Sequence, residues 1–140
     1  MQKNKNKKIR LVIDSNVWVS SLLSPSFFGR LKIVFDSRYR LLVSEEFFDD
    51  LANAFRKPYL VKQINPADYM ELVSQLRTDA ELVDVFSIVD ACRDPKDNFL
   101  LALAKDGNAD YLITGDEDLL MVKEFGKTKI VKLSEFESVH

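Results

Sequence analysis

Six aspartates, Asp14, Asp50, Asp94, Asp97, Asp116 and Asp118, are the residues of this 140-residue chain whose type and spacing could do chemistry. Four of them bound one stretch, DPKDNFLLALAKDGNADYLITGDED, which carries seven acids and two lysines. Carboxylates crowded near strand ends repel one another unless solvent or a cation absorbs their charge. Two readings follow. In the first, the acids are helix caps: Asp94 as N-cap, Pro95 as the first helical residue, Asp97 as the acid of the first turn, and Asp116 or Asp118 capping whatever follows Gly115. In the second they hold a metal. Capping explains each motif taken singly. It does not explain why acids gather after the first strand, on the third helix and at both ends of the 94–118 unit.

The rest of the composition narrows the chemistry. The single histidine is His140, so Ser-His-Asp hydrolysis, histidine acid–base cleavage of RNA and histidine-rich zinc sites have little support. The single cysteine, Cys92, excludes an internal disulfide and a cysteine zinc site, and suits a reducing cytosol. Hydrolysis by this chain would therefore rest on carboxylates and an oxygen-preferring cation such as Mg²⁺ or Mn²⁺. An aspartyl-phosphate enzyme is a weaker reading, because Asp14 is followed by Ser15-Asn16 and lacks the second acid of the two-aspartate phosphotransferase pattern.

The elements that must position these acids alternate between strand and helix. Ile9–Ile13 is a β-rich apolar run that places Asp14 at its C-terminal end, where open α/β sheets form their ligand crevices. A helix is expected from Val17 to Leu23, ended by Ser24-Pro25, and a second from Phe28 to Phe35. Trp18 and Phe27-Phe28 read as core or interface and not as a base-stacking platform, since nothing basic clusters beside them. Leu41–Val43 reads as a strand and Ser44 as the N-cap of a helix with Phe47, Phe48, Leu51, Ala54 and Phe55 on one stripe. Glu45 and Asp50 lie on opposite edges of that stripe. Asp50, beyond the first turn, is not explained by the helix dipole, whereas Glu45 is. Pro58 stops this helix, and Pro66–Thr78 gives another. Leu82–Val89 is ambiguous between strand and extended chain. FLLALA is a helix bounded by Gly107-Asn108, Tyr111–Ile113 a buried strand, Lys129–Val131 a last strand, and Ser134–His140 a short polar end. The alternation implies a central parallel sheet with helices on both faces.

The net charge of −2 hides an asymmetry: residues 1–10 hold five of the 20 basic side chains and none of the 22 acids. Residues 1–8 are expected to be a flexible basic arm. Such an arm can help to hold a polyanion, but without aromatics it reads better as a solubilising terminus. Residues 9–140 are expected to form a single domain. No apolar run approaches transmembrane length and nothing resembles a signal peptide, so no membrane partner and a cytoplasmic location are expected.

The order LVIDSNVWVSSLL, VSEEFFDDL, CRDPKDNFLLALA, ADYLITGDEDLL resembles that of the PIN-domain nucleases, over nearly the whole chain from Ile9 to Val131. The nearest subgroup in appearance is that of the toxins of bacterial toxin–antitoxin pairs. The resemblance implies a three-layer α/β/α sandwich around a parallel sheet, and an acidic cluster binding Mg²⁺ or Mn²⁺ for RNA hydrolysis. Carried over by motif, its four acids fall on Asp14, Asp50, Asp97 and Asp116. Asn16, Thr114, Asp94 and Asp118 become supporting positions. Asp50 departs from the pattern, which has glutamate there, one methylene longer; Glu46, a turn earlier, is the fallback. The implied partners are an RNA substrate and a cognate antitoxin, and a homo-oligomer is compatible with the reading. The alternative is a degenerate relative that binds RNA or protein without cutting.

Overall fold

The computed structural model describes residues 7–140. Residues 1–6, most of the expected basic arm, lie outside the described residues. Eight α-helices and six strands are present in this span. In chain order they are β1 (Ile9–Ile13), α1 (Ser15–Leu23), α2 (Pro25–Leu31), β2 (Tyr39–Val43), α3 (Glu45–Phe55), α4 (Pro58–Val61), α5 (Pro66–Asp79), β3 (Glu81–Leu82), α6 (Asn98–Asp106), β4 (Tyr111–Ile113), α7 (Glu117–Leu120), β5 (Glu124–Phe125), β6 (Thr128–Val131) and α8 (Leu133–Val139).

The strands form one sheet in the order β3-β2-β1-β4-β6-β5, parallel except for the short edge strand β5. Leu11, Val12 and Ile13 are all essentially inaccessible although successive strand residues face opposite sides, so both faces of β1 are covered. The same alternation sorts the helices. Tyr39 and Leu42 of β2 point to opposite faces; Phe136 of α8 packs its ring on Tyr39, centroids 5.6 Å apart, while Leu42 meets the end of α6 at Gly107. The architecture is therefore the expected three-layer α/β/α sandwich around a largely parallel sheet.

Two features of the packing matter for the site. Helix α6 has five consecutive buried residues, Leu100 to Ala104, because it lies against β1, β2 and β4 on one side and α3 on the other. Burial of Leu100, Leu101 and Leu103 contributes about 1.5–3 kcal/mol each, which fixes the helix axis and with it the acids at its entrance. At the far end Gly107 has no room for a side chain: a Cβ would stand 2.8 Å from Leu42 Cδ1 and 2.9 Å from the Leu103 carbonyl. Helix α3 buries Phe47, Phe48, Leu51 and Ala54 and packs on α1, so the helix that follows Asp14 and the one that carries Asp50 are held together.

Several boundaries differ from expectation. The helix expected over Phe28–Phe35 begins earlier, at Pro25, where Ser24 Oγ accepts the Phe27 N–H, and tightens into a 3₁₀ turn over Lys32–Phe35. The helix ending before Pro58 is followed by a further turn, α4, which Pro58 itself begins. Of Leu82–Val89 only Leu82 joins the sheet. The remainder is irregular chain, held in part by Asp106, which accepts the N–H groups of Phe86 and Ser87. The expected polar end, Ser134–His140, is mostly the helix α8, whose Leu133 and Phe136 are buried; two apolar positions three apart carried that signal. No helix among the described residues is long and apolar enough to cross a membrane.

Candidate active site

The register of the sheet brings the first two acids together. Ile13 pairs with Ile113, and the Asp14 N–H donates to the Ile113 carbonyl at 3.0 Å, so Asp14 and Thr114 leave the sheet side by side. Thr114 Oγ1 donates to Asp14 Oδ2 at 2.8 Å, and the other carboxylate oxygen accepts the Asn16 N–H at 3.0 Å. The same Thr114 oxygen accepts the Asp116 N–H at 3.0 Å, and Asp116 Oδ1 accepts the Asp118 N–H at 2.8 Å. The buried Thr114 hydroxyl thus ties the Asp14 carboxylate to the backbone of the turn that carries Asp116 and Asp118. The capping geometry is real as well: Asp14, Asp94 and Asp116 each accept a backbone N–H at the start of a helical segment. Capping and clustering are here performed by the same oxygens.

Asp97 enters from α6. Its pKa is pushed up to about 7, first by burial, then by a side-chain hydrogen bond with Asp116 and the charges of Asp116, Asp14 and Asp94. A carboxyl keeps a proton near neutrality where burial and neighbouring like charge both disfavour its ionised form. Asp14, 3% exposed, is also raised, by burial foremost; the Asn16 and Thr114 hydrogen bonds oppose this, and the charges of Asp50 and Asp116 add to it. Asp50 therefore lies within electrostatic reach of the centre. Glu46 is exposed and lines a separate groove with Glu45, Lys96 and Phe86.

The acids form two groups that share Asp97. On the inner side are Asp14, Asp116 and Asp97, with Asp50 adjoining Asp14. On the outer side Asp94, Asp97 and Asp118, all half-buried, have carboxylate oxygens within 4.8 Å of one another. Of this outer trio the sequence reading gave a ligand role only to Asp97. All the donors are carboxylate oxygens, the set a hard divalent cation takes, and a cation bound there would offset the like charge that adds to burial in raising Asp97. The residues present fit a hard divalent cation.

Four further residues belong to the site: Arg93 and Asn98, to which the sequence assigns no role, Cys92, read only for its redox state, and Phe27, expected as core or interface. Arg93 donates from Nε to Asp118 Oδ1 at 2.8 Å and is the one cation ion-paired within the cluster among the described residues. Asn98 Oδ1 accepts the N–H groups of Ala91 and Cys92 at 3.2 and 2.9 Å, tying the strand-like approach to the helix entrance. Cys92 is buried 4.0 Å from Asp97 Oδ2, and its thiol pKa is raised by that burial. Phe27 lines a cleft of about 400 Å³ that opens onto Asp14, Asn16 and Asp116, with the Arg30 guanidinium 5.6 Å from its ring centre. The motif CRDPKDN displayed Arg93 and Asn98 next to the acids. Phe27, expected as core or interface, is half-buried at the mouth of the cleft, where only folding carries it. Trp18, by contrast, is core as expected.

A family model described as PIN domain matches residues 10–118. The uncharacterized protein MJ1680 of Methanocaldococcus jannaschii is 26% identical over 130 residues, covering 91% of this chain and 83% of its own. The crystal structure of PAE2754 from Pyrobaculum aerophilum superposes with a TM-score of 0.55 at 14% identity, over 94% of this chain and 88% of that one, a likeness of fold. With a family match over most of its length and an acidic cluster at the C-terminal edge of the sheet, the chain belongs to the PIN domain family, whose members are generally metal-dependent nucleases.

Proposed function

We propose that the chain is an endoribonuclease dependent on Mg²⁺ or Mn²⁺, acting as the cytoplasmic toxin of a toxin–antitoxin pair, with residues 9–140 as one functional unit. The observation that carries the nuclease reading is the convergence of carboxylates on Asp97, raised to about 7 first by burial and then by Asp116, Asp14 and Asp94, beside a cleft that Asp14 and Asp116 line. Asp14, Asp97 and Asp116 would hold the cation, with Asp50 completing the set and Glu46 as its fallback. Bound there, the ion supplies a lowered pKa for an attacking water and neutralisation of the leaving oxygen. The chain's own groups do the rest. Thr114 and Asn16 lock the Asp14 carboxylate in one orientation, so no reorganisation is needed at that oxygen. Asp97, raised to about 7 by burial and by its hydrogen bond with Asp116, would give up its proton on taking up a cation. Phe27 offers a ring at the cleft mouth against which a base can stack. Arg93 holds Asp118 and limits repulsion in the outer trio.

The toxin role and the RNA target rest on motif resemblance. The direct test is a labelled single-stranded RNA incubated with the protein and Mn²⁺, then with excess chelator. Cleavage that stops on chelation supports the reading. RNA retained intact in both conditions points to the non-cutting relative, a reading favoured by the shorter Asp50 side chain and the Arg93–Asp118 pair.

A further inference from the structure

At the end of the sheet opposite the acids, the charge reverses. Lys7 and Lys8 before β1 and Lys127 and Lys129 around the start of β6 line one cleft of about 460 Å³, walled by Asp110, Tyr111 and His140. Parallel pairing assembles it from segments far apart in sequence: β4 lies between β1 and β6, and Tyr111 is in register with Lys129. All four lysines are exposed. Asp110 carries the one carboxylate side chain lining this cleft, and it is already engaged. One oxygen accepts the Arg10 N–H at 2.8 Å and the other faces Lys127 Nζ at 3.4 Å. Lys7, Lys8 and Lys129 have no carboxylate partner among the described residues. A concentration of unpaired ammonium groups on a chain of net charge −2 is an anion site awaiting its anion.

The cleft wall narrows the kind of anion. Tyr111 and His140 are joined through hydroxyl and Nε2 at 3.2 Å, with their rings edge to face at 5.3 Å between centroids. His140 also stacks on Phe136 at 4.7 Å and Tyr111 meets Phe136 edge to face at 5.3 Å, so the rings form a fixed wall and the ammonium groups beside it are what would take phosphates. The rise of β1 separates this cleft from Asp14 by about 17 Å, more than one nucleotide at the acids could bridge. We propose that the cleft binds the phosphate backbone of single-stranded RNA, holding a flank of the substrate several nucleotides from the cut. The inference takes the identity of the polyanion from the RNA-cleaving reading above, but the cleft binds without cutting.

The test is anisotropy of a fluorescent 20-nucleotide single-stranded RNA, in excess chelator and over a salt series. The proteins are the parent, Lys8→Ala/Lys129→Ala, the conservative pair Lys8→Arg/Lys129→Arg, and a charge-matched control, Lys57→Ala/Lys62→Ala, at two exposed lysines elsewhere. Loss of two phosphate contacts lowers the slope of log affinity against log salt by about 1.4. That loss is expected for the cleft alanine pair only, with a several-fold weaker affinity; the arginine pair retains both. Equal effects in the cleft and control pairs would overturn the proposal. So would competition by polyglutamate as effective as by unlabelled RNA, which would assign the cleft to an acidic protein. If the parent fails to cut RNA with Mn²⁺ while the cleft pair still weakens binding, the cleft stands and the nuclease reading falls. If the parent cuts and the cleft pair binds like the parent, the reverse holds.

Discussion

The two ends of the sheet carry opposite charge and are built by opposite means. At the C-terminal end, like-charged groups are forced together inside the fold. Asp14 is nearly inaccessible, Thr114 ties its carboxylate to the turn that carries Asp116, and Asp97 is raised to about 7. At the N-terminal end the lysines stand exposed to solvent, and of the four only Lys127 meets a carboxylate, that of Asp110. Repulsion among exposed ammonium groups is screened by water and salt. Repulsion among half-buried carboxylates is not, and it persists because α6 is clamped along its whole length and the turn after β4 is tied to β1 by hydrogen bonds. The acidic end is therefore strained in a way that a cation relieves, and the basic end is merely available. Chemistry needs the first arrangement, and loose holding of a long substrate needs only the second.

The largest effect should come from removing charge at the strained end. Asp97→Asn and Asp116→Asn should each lower RNA cleavage by at least about 100-fold, near 3 kcal/mol at about 1.4 kcal/mol per tenfold, since a hard cation needs the lost charge. The metal-free melting temperature should hold or rise, because repulsion falls. Rate and melting curves measured on the same preparations separate the two. Parent-like cleavage by either variant would mean that the site has been assigned to the wrong acids.

Thr114→Val tests that tie in place of the charges. The hydroxyl donates to Asp14 and accepts from Asp116, and both partners lose it in a site that water reaches poorly. An unsatisfied buried group costs about 1–3 kcal/mol, so denaturant unfolding should show a loss in that range. Cleavage should fall too, through misoriented Asp14. A variant as stable as the parent would show that the carboxylates need no common anchor.

The strain should also be visible in pH. In the folded, metal-free chain Asp97 keeps its proton up to about 7, against its ordinary 3.8. Between those values the folded chain binds the extra proton, so stability falls as pH rises through the window and is restored on acidification. Asp97→Asn should flatten this slope, and millimolar Mn²⁺ should flatten or invert it. Melting temperatures from pH 4 to 8, with and without Mn²⁺, would reveal it. A parent slope unaffected by the substitution would place the proton elsewhere.

What was legible in the sequence divides along physical lines. The strand IRLVI, the Ser44-capped helix and the Asp94-Pro95 entrance announce themselves through local patterns, and the parallel sheet follows from their alternation. That Asp14 would meet Thr114 was implied once both were placed at strand ends. Ser24-Pro25 ends one helix and also begins α2, because a serine before a proline is as good a helix start as a stop. The polar reading of residues 134–140 missed α8, since its two buried residues give little periodicity until a sheet lies beneath them. The basic cleft was illegible. The arm's lysines were noticed alone, and only the pairing of β1, β4 and β6 brings Lys127 and Lys129 beside them.

The smallest effect sharpens the boundary between caps and ligands. Asp94 belongs to the outer trio with Asp97 and Asp118, and its charge adds least among those that raise Asp97. Its Oδ1 accepts the Lys96 N–H at 3.1 Å, capping the turn that begins at Pro95. Asparagine caps as well as aspartate, so Asp94→Asn should change stability by no more than about 0.5 kcal/mol. Cleavage should fall severalfold at most, far less than for Asp97→Asn. Asp94→Ala separates the roles further. It loses the cap as well as the charge and should cost about 1 kcal/mol, while its cleavage rate should match that of Asp94→Asn. Should Asp94→Asn instead fall as far as Asp97→Asn, the outer trio and not the inner group would be holding the cation, and Arg93 would be the residue that regulates access to it.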